Sequence, residues 1–144
     1  MAAWVLYDNF RLRSFNGNAV NLDAAGSTVK VALITSALAP STANDVTWNA
    51  PGYTEVSGTG YSAGGLTIST NQTVTLASGT VTWKTTTTIT WSQNAAGFSN
   101  ARYAVIYASA LTTLICYGDL GSNVGNVTGD LSITGPATSI FTSP

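Results

Sequence analysis

The side chains able to do acid–base chemistry are few in this sequence and far apart. Its carboxylates are Asp8, Asp23, Asp45, Glu55, Asp119 and Asp130. A glycosidase-type pair can converge in space at roughly 5 to 9.5 Å, yet no two of these acids lie close enough in the chain to form a motif. Asp119 and Asp130 flank one loop and would offer a hard cation two carboxylates and some backbone carbonyls, fewer acids than calcium sites usually gather. Histidine is absent, which removes the commonest general base, the imidazole metal ligand and the usual pH switch together. The single cysteine, Cys116, lies in an apolar run; it cannot close an internal disulfide and reads as a small buried hydrophobe. These residues predict no catalytic group, no metal and no cofactor, and so a protein that is not an enzyme.

Other apparent motifs dissolve on their chemistry. Gly58, Gly60 and Ala63 fit G-x-G-x-x-A, but dinucleotide binding needs a helix directly afterwards and an acid roughly 20 positions on. A strand-like LTIST follows instead, and no Asp or Glu occurs until Asp119. The glycines read as permissions for bulges and tight turns where Tyr61 packs against a sheet. The sequons at Asn71 and Asn126 are expected by chance in a chain so rich in Asn and Thr. Arg102 reads as a structural ion-pair partner of Glu55 or Asp119. Trp48, Tyr53, Tyr61, Trp83 and Trp91 would make a sugar-stacking platform if they shared an exposed face. Trp83 and Trp91 sit in register with aliphatics, which predicts burial, and Trp48 reads with Val46 as a loop anchor.

The element that must position all of these is Ala101 to Leu120, two strands apolar on both faces and joined at Ser109 and Ala110. Such strands need cover on both sides. Ser27 to Thr35 is the first clear strand, and Leu66 to Trp91 reads as LTIST, TVTLA, TVTWK and TTITW, with Val74, Leu76, Val81, Trp83, Ile89 and Trp91 on apolar faces. Trp4 to Phe15 fits helix and strand periods equally. Ser36 to Gly52, with Pro40 and Pro51-Gly52, reads as a surface excursion. Gly121 to Gly129 reads as a loop, mobile or ordered by a neighbour, and Leu131 to Thr142 as one or two last strands. The expected fold is all-β: an antiparallel β-sandwich or jelly-roll-like single domain, with residues 1–26 as an N-terminal arm or short helix and loop, and 27–144 as the β-sandwich domain.

Charged residues make up 8% of the chain, against roughly 25% in typical soluble domains. The exterior must therefore be hydroxyl and amide, a surface that is covered without desolvating ions. A net charge of −1 gives no footprint for nucleic acid. The start, MAAWVLYDNFRLR, lacks a basic region ahead of an apolar run, so neither signal peptide nor membrane helix is expected and synthesis in a cytoplasm is.

VKVALITSALAP, then YTEVSGTGYSAGG, then TW followed by ARYAVIYA, in that order and spacing, resemble small virion proteins of tailed bacteriophages, some of which are capsid decoration or cement proteins. The resemblance spans Ser27 to Thr142 and is most specific over Glu55–Gly65 and Arg102–Ala108; Met1–Phe15 and Gly121–Gly129 depart from it. It implies a non-enzymatic subunit, made in the host cytoplasm, that binds the major capsid protein on the outer surface of the assembled head. It also implies a homo-oligomer, a trimer at threefold positions, with neither nucleic acid nor membrane as partner. The alternative is a tail or tail-fibre component that binds a host surface glycan. The partner surface is expected in the arm, the excursion and the late loop, at Trp4, Tyr7, Phe10, Trp48, Tyr53, Asn123 and Asn126.

Overall fold

The computed structural model describes residues 3–17, 20–23, 28–68, 72–85 and 88–142. Asn71 of the first sequon, Ser27 at the start of the first expected strand, residues 24–26 of the loop before it and two residues of the threonine run lie outside that set. The elements in chain order are β1 (Val5–Leu6), α1 (Asp8–Phe15), β2 (Val29–Ile34), β3 (Leu66–Thr67), β4 (Gln72–Ala77), β5 (Thr80–Thr85), β6 (Thr88–Trp91), β7 (Ala101–Ala108), β8 (Thr113–Val124), β9 (Leu131–Thr134) and β10 (Ala137–Thr142). The protein is all-β, its strands paired antiparallel in three sheets of order β1-β8-β7-β2-β3, β10-β5-β4 and β6-β9.

β7 and β8 are the expected hairpin, placed centrally, and their alternation decides what covers them. On one face, Tyr7 lies 5.6 Å from Tyr117 and Trp48 stacks on Tyr107 at 4.7 Å with the rings 5° apart. The other face carries Val29, Val31, Leu33, Ala104 and Ile106, all shut off from solvent. One core joins these residues to Trp83 of β5, Ile89 and Trp91 of β6 and Ile133 of β9. Each large aliphatic buried this way contributes about 1.5–3 kcal/mol, so the small sheets stabilise the main one by covering it.

The connection between β7 and β8 runs from Ser109 to Thr112, two residues longer than the expected pair, and Thr112 takes φ 49° to close it. β8 also extends further than expected. It continues to Val124 through a register shift opposite Ala101–Tyr103, with Gly121 at φ 85°, so the first part of the expected late loop is a bulged strand end.

The ambiguity over Trp4 to Phe15 resolves as both structures in series. Val5 and Leu6 pair with Tyr117 and Cys116 at the edge of the main sheet. α1 then starts at Asp8, whose N–H donates to Thr42 O at 3.1 Å. An eight-residue helix without a side-chain cap is not stable alone. Phe10 buried beneath it and Arg13 Nη1 donating to Thr113 Oγ1 at 3.0 Å hold it down.

β4 and β5 are joined by Ser78-Gly79 with φ 47° and 76°, the left-handed pair of a two-residue I′ turn. Val74 sits opposite the buried Trp83, and Leu76 opposite Val81. The expected apolar face of β4 is not covered, however: Val74 is 40% and Leu76 74% exposed. The hairpin runs outward past the core, and its inner face loses cover toward the turn.

Candidate functional site

The excursion that follows β2 returns to the sheet through main-chain contacts before its aromatics can be placed. Trp48 N–H donates to Thr112 O at 2.7 Å, and Thr47 bridges Thr113. Stacking on Tyr107 then fixes the indole, and Tyr53 lies 5.7 Å from it at a 48° tilt. Tyr53 is fixed in turn: its hydroxyl donates to Asp45 Oδ2 at 2.5 Å and meets Tyr7 Oη at 3.1 Å. Asp45 also accepts from Ser41 N at 2.7 Å, which makes it the knot of the excursion.

Glu55 closes the other side. Its carboxylate accepts from Gly64 N at 2.8 and 3.0 Å and from Tyr61 Oη at 3.2 Å. Tyr61 is set by Leu33 N–H, which donates to its hydroxyl at 3.1 Å. The glycines around it are required by close approach: a Cβ on Gly65 would lie 1.9 Å from Val31 O, and one on Gly58 2.5 Å from Gly97 C. The expectation that these glycines serve backbone packing around Tyr61 matches this geometry.

Between these walls lies a cleft of about 390 Å³ lined by Trp48, Asn49, Gly52, Tyr53, Glu55 and Ala63. It offers two aromatic rings, one fixed carboxylate acceptor and one amide. Glu55 is the one carboxylate among its described lining residues, and an acceptor set between aromatic rings is an arrangement that can hold a polar ring. Burial pushes the Tyr7, Tyr53 and Tyr61 hydroxyls up from their ordinary range, and they stay neutral. Burial likewise raises the Cys116 thiol, leaving it inert. Among the described residues no group of three or more Cys, Asp or Glu converges to hold a metal ion, and no helix is long and apolar enough to cross a membrane.

The seven residues expected at a partner surface separate into distinct places. Trp48 and Tyr53 share the cleft. Trp4 is half-buried, its indole N–H donating to Thr134 O at 3.2 Å. Asn123 is exposed beside a depression of about 430 Å³ that also touches Phe98 and Thr128.

Tyr7, Phe10 and Asn126 need correction, because all three are buried. Tyr7 packs on β8, and Phe10 anchors α1. Asn126 Oδ1 accepts from Phe98 N at 2.9 Å, while Nδ2 donates to Ser92 O at 2.8 Å and Thr59 O at 3.4 Å. It clamps three loops, so the segment expected to be mobile or ordered by a neighbour is held by contacts within the chain.

Sequence reasoning left two features out. Of the two ion-pair partners expected for Arg102, Asp119 takes the role at 2.8 Å, and the part of Glu55 in tying Gly64 and Tyr61 is not marked by its sequence neighbours. A second concavity of about 420 Å³ lies between α1 and the β4–β5 hairpin, lined by Phe10, Ser14, Phe15, Leu22, Val74 and Val81 among others. The signal available for it was Phe15, a large aromatic in the last turn of a short helix.

No family model, no curated protein and no solved structure matches the chain.

Proposed function

We propose that this chain is a non-enzymatic structural protein of a tailed-phage virion, a capsid decoration or cement subunit bound to the outer surface of the assembled head. The observation that carries the reading is where its acids go. Asp45, Glu55, Asp119 and Asp130 each accept hydrogen bonds from the chain's own backbone or from Arg102 and Tyr side chains. These four acids therefore tie loops to strands, and the exterior, apart from a few exposed charges such as Asp8, Arg11, Asp23 and Lys84, is rich in threonine, serine, asparagine and uncovered apolar side chains. Such a surface suits permanent contact with other subunits. The likeness of its motifs to phage virion proteins supplies the kind of subunit, with the major capsid protein as partner and a β-sandwich or jelly-roll-like body as scaffold.

A subunit that binds assembled heads and not their dissociated parts stabilises them by mass action. A homo-oligomer would add avidity by engaging several sites at once. The test is to heat purified heads with and without added protein and follow genome release. A raised opening temperature is expected, and an unchanged one would sink the cementing role. Imaging of virions labelled through this chain distinguishes head from tail.

The second reading, a tail component that binds a host glycan, is favoured by one observation: Trp48 and Tyr53 meet Glu55 and Asn49 in one cleft. Asn49 is exposed, so Asn49→Ala tests it without disturbing the stacked rings. Glycan retention that drops in this variant supports the tail reading; binding to heads in glycan-free buffer supports the first.

A further inference from the structure

We infer that the open edge of β4 is a self-association surface, and that two copies of this chain pair there about a twofold axis. β4 ends its sheet, with β5 on one side and no strand on the other among the described residues. The direction of its free hydrogen-bonding groups follows from one contact. Thr85 N–H donates to Pro136 O at 3.0 Å, so Thr85 faces away from β4. In an antiparallel ladder successive residues alternate. Lys84 therefore faces Thr73, its partner in register, and Val74 and Leu76 direct their N–H and C=O groups to the open edge.

Protected edges carry charge, proline, a bulge or a covering loop. QTVTLA has no charge and no proline, and its register against β5 is unbroken. The opposite edge of the same sheet, β10, has its register broken between Ser139 and Phe141, which blunts it and lets association close at two copies.

The occupant is specified by the strand itself. Pairing centred on Thr75 sets Val74 of one copy opposite Leu76 of the other, both with outward-facing main-chain groups. The two three-stranded sheets then become one continuous sheet. Val74 and Leu76 from both copies meet on one face, next to the groove where Phe15 is 73% exposed. Thr73 and Thr75 meet on the other.

A net charge of −1 offers almost no repulsion between copies. The solvent-exposed parts of Phe15, Val74 and Leu76 supply roughly a few hundred Å² of apolar surface. A stable dimer needs about 800 Å² per partner, so the main-chain ladder and the threonines of β4 must add to this apolar area. An antiparallel strand pair has a twofold axis, so this contact predicts a dimer. It is independent of whether the docking target is a capsid.

The experiment is light scattering on the full chain over a dilution series, with Val74→Pro, Leu76→Lys and, as a control, Leu111→Lys. Proline at 74 removes an N–H that the ladder with β5 does not use, so circular dichroism should stay that of the parent chain. The expected result is a parent dimer, a dimer in Leu111→Lys, and at least tenfold weaker association in the two β4 variants. A parent chain that is monomeric throughout, a trimer, or a dimer that survives both β4 substitutions overturns the inference. If Val74→Pro misfolds, Leu76→Lys decides alone, because Leu76 is 74% exposed and its side chain bears little on the fold.

Discussion

Asn126 shows how much one polar side chain can do in a charge-poor protein. Its amide satisfies Phe98 N–H and Ser92 C=O, and its own main chain bonds Phe98 O and Asn94 N. Asn126→Ala leaves buried groups unpaired, each at about 1–3 kcal/mol. A loss of about 2–4 kcal/mol in urea denaturation is expected, against no more than about 1 kcal/mol for Asp119→Asn, whose ion pair with Arg102 is partly exposed. Nothing in the sequence marks Asn126 for this role. Asparagine among glycines reads as loop, and its burial arises only when three loops distant in the chain converge.

The buried tyrosines give a pH prediction at the same scale. Tyr7, Tyr53 and Tyr61 have hydroxyls raised above 10.0, chiefly by burial. The unfolded chain releases these protons as pH passes about 10, while the folded chain keeps them. Stability is therefore full below that pH and falls above it. Urea midpoints should hold from neutral pH to about 9 and drop steadily beyond 10. Tyrosinate absorbance from these three rings should appear only with unfolding.

Among the elements, strands with strong period-2 patterns were legible. The β7–β8 hairpin, β2, β4, β5 and β6 lie within a few residues of where alternation puts them, and Trp83 and Trp91 are buried as their register implies. What alternation cannot say is whether an apolar face finds cover. Val74 and Leu76 satisfy the pattern of a core strand, yet the tip of their hairpin overhangs the body. The cleft was half legible: Trp48 and Tyr53 were candidates, while Glu55 depends on the fold of 57–65 against β2. Two glycines test that fold. Gly65 and Gly52 both take φ 74°, but a Cβ on Gly65 meets Val31 O, whereas one on Gly52 meets nothing within 4 Å. Gly52→Ala should cost about 1 kcal/mol from backbone strain alone, and Gly65→Ala about 3 kcal/mol or more, because β2 itself must shift.

For the whole molecule, residues 3–16 are part of the body. β1 completes the edge of the main sheet, and Leu6, Tyr7 and Phe10 enter the common core. A domain's margin is about 5–15 kcal/mol, and each of these side chains accounts for about 1.5–3 kcal/mol of burial. A chain truncated before residue 17 should therefore lose its cooperative thermal transition by calorimetry. An arm that served only for docking would leave that transition intact.

Three of the four tryptophans also divide themselves among the three sheets. Trp83 belongs to β5 and Trp91 to β6, and Trp48 lies flat on Tyr107 of β7. Trp83 and Trp91 are both buried within the apolar core, so both rings should fluoresce at short wavelength. Variants that keep one tryptophan each would turn the protein into its own set of optical reporters, one per sheet. Their emission would reveal whether the overhanging β4–β5 hairpin melts before the sheet it covers.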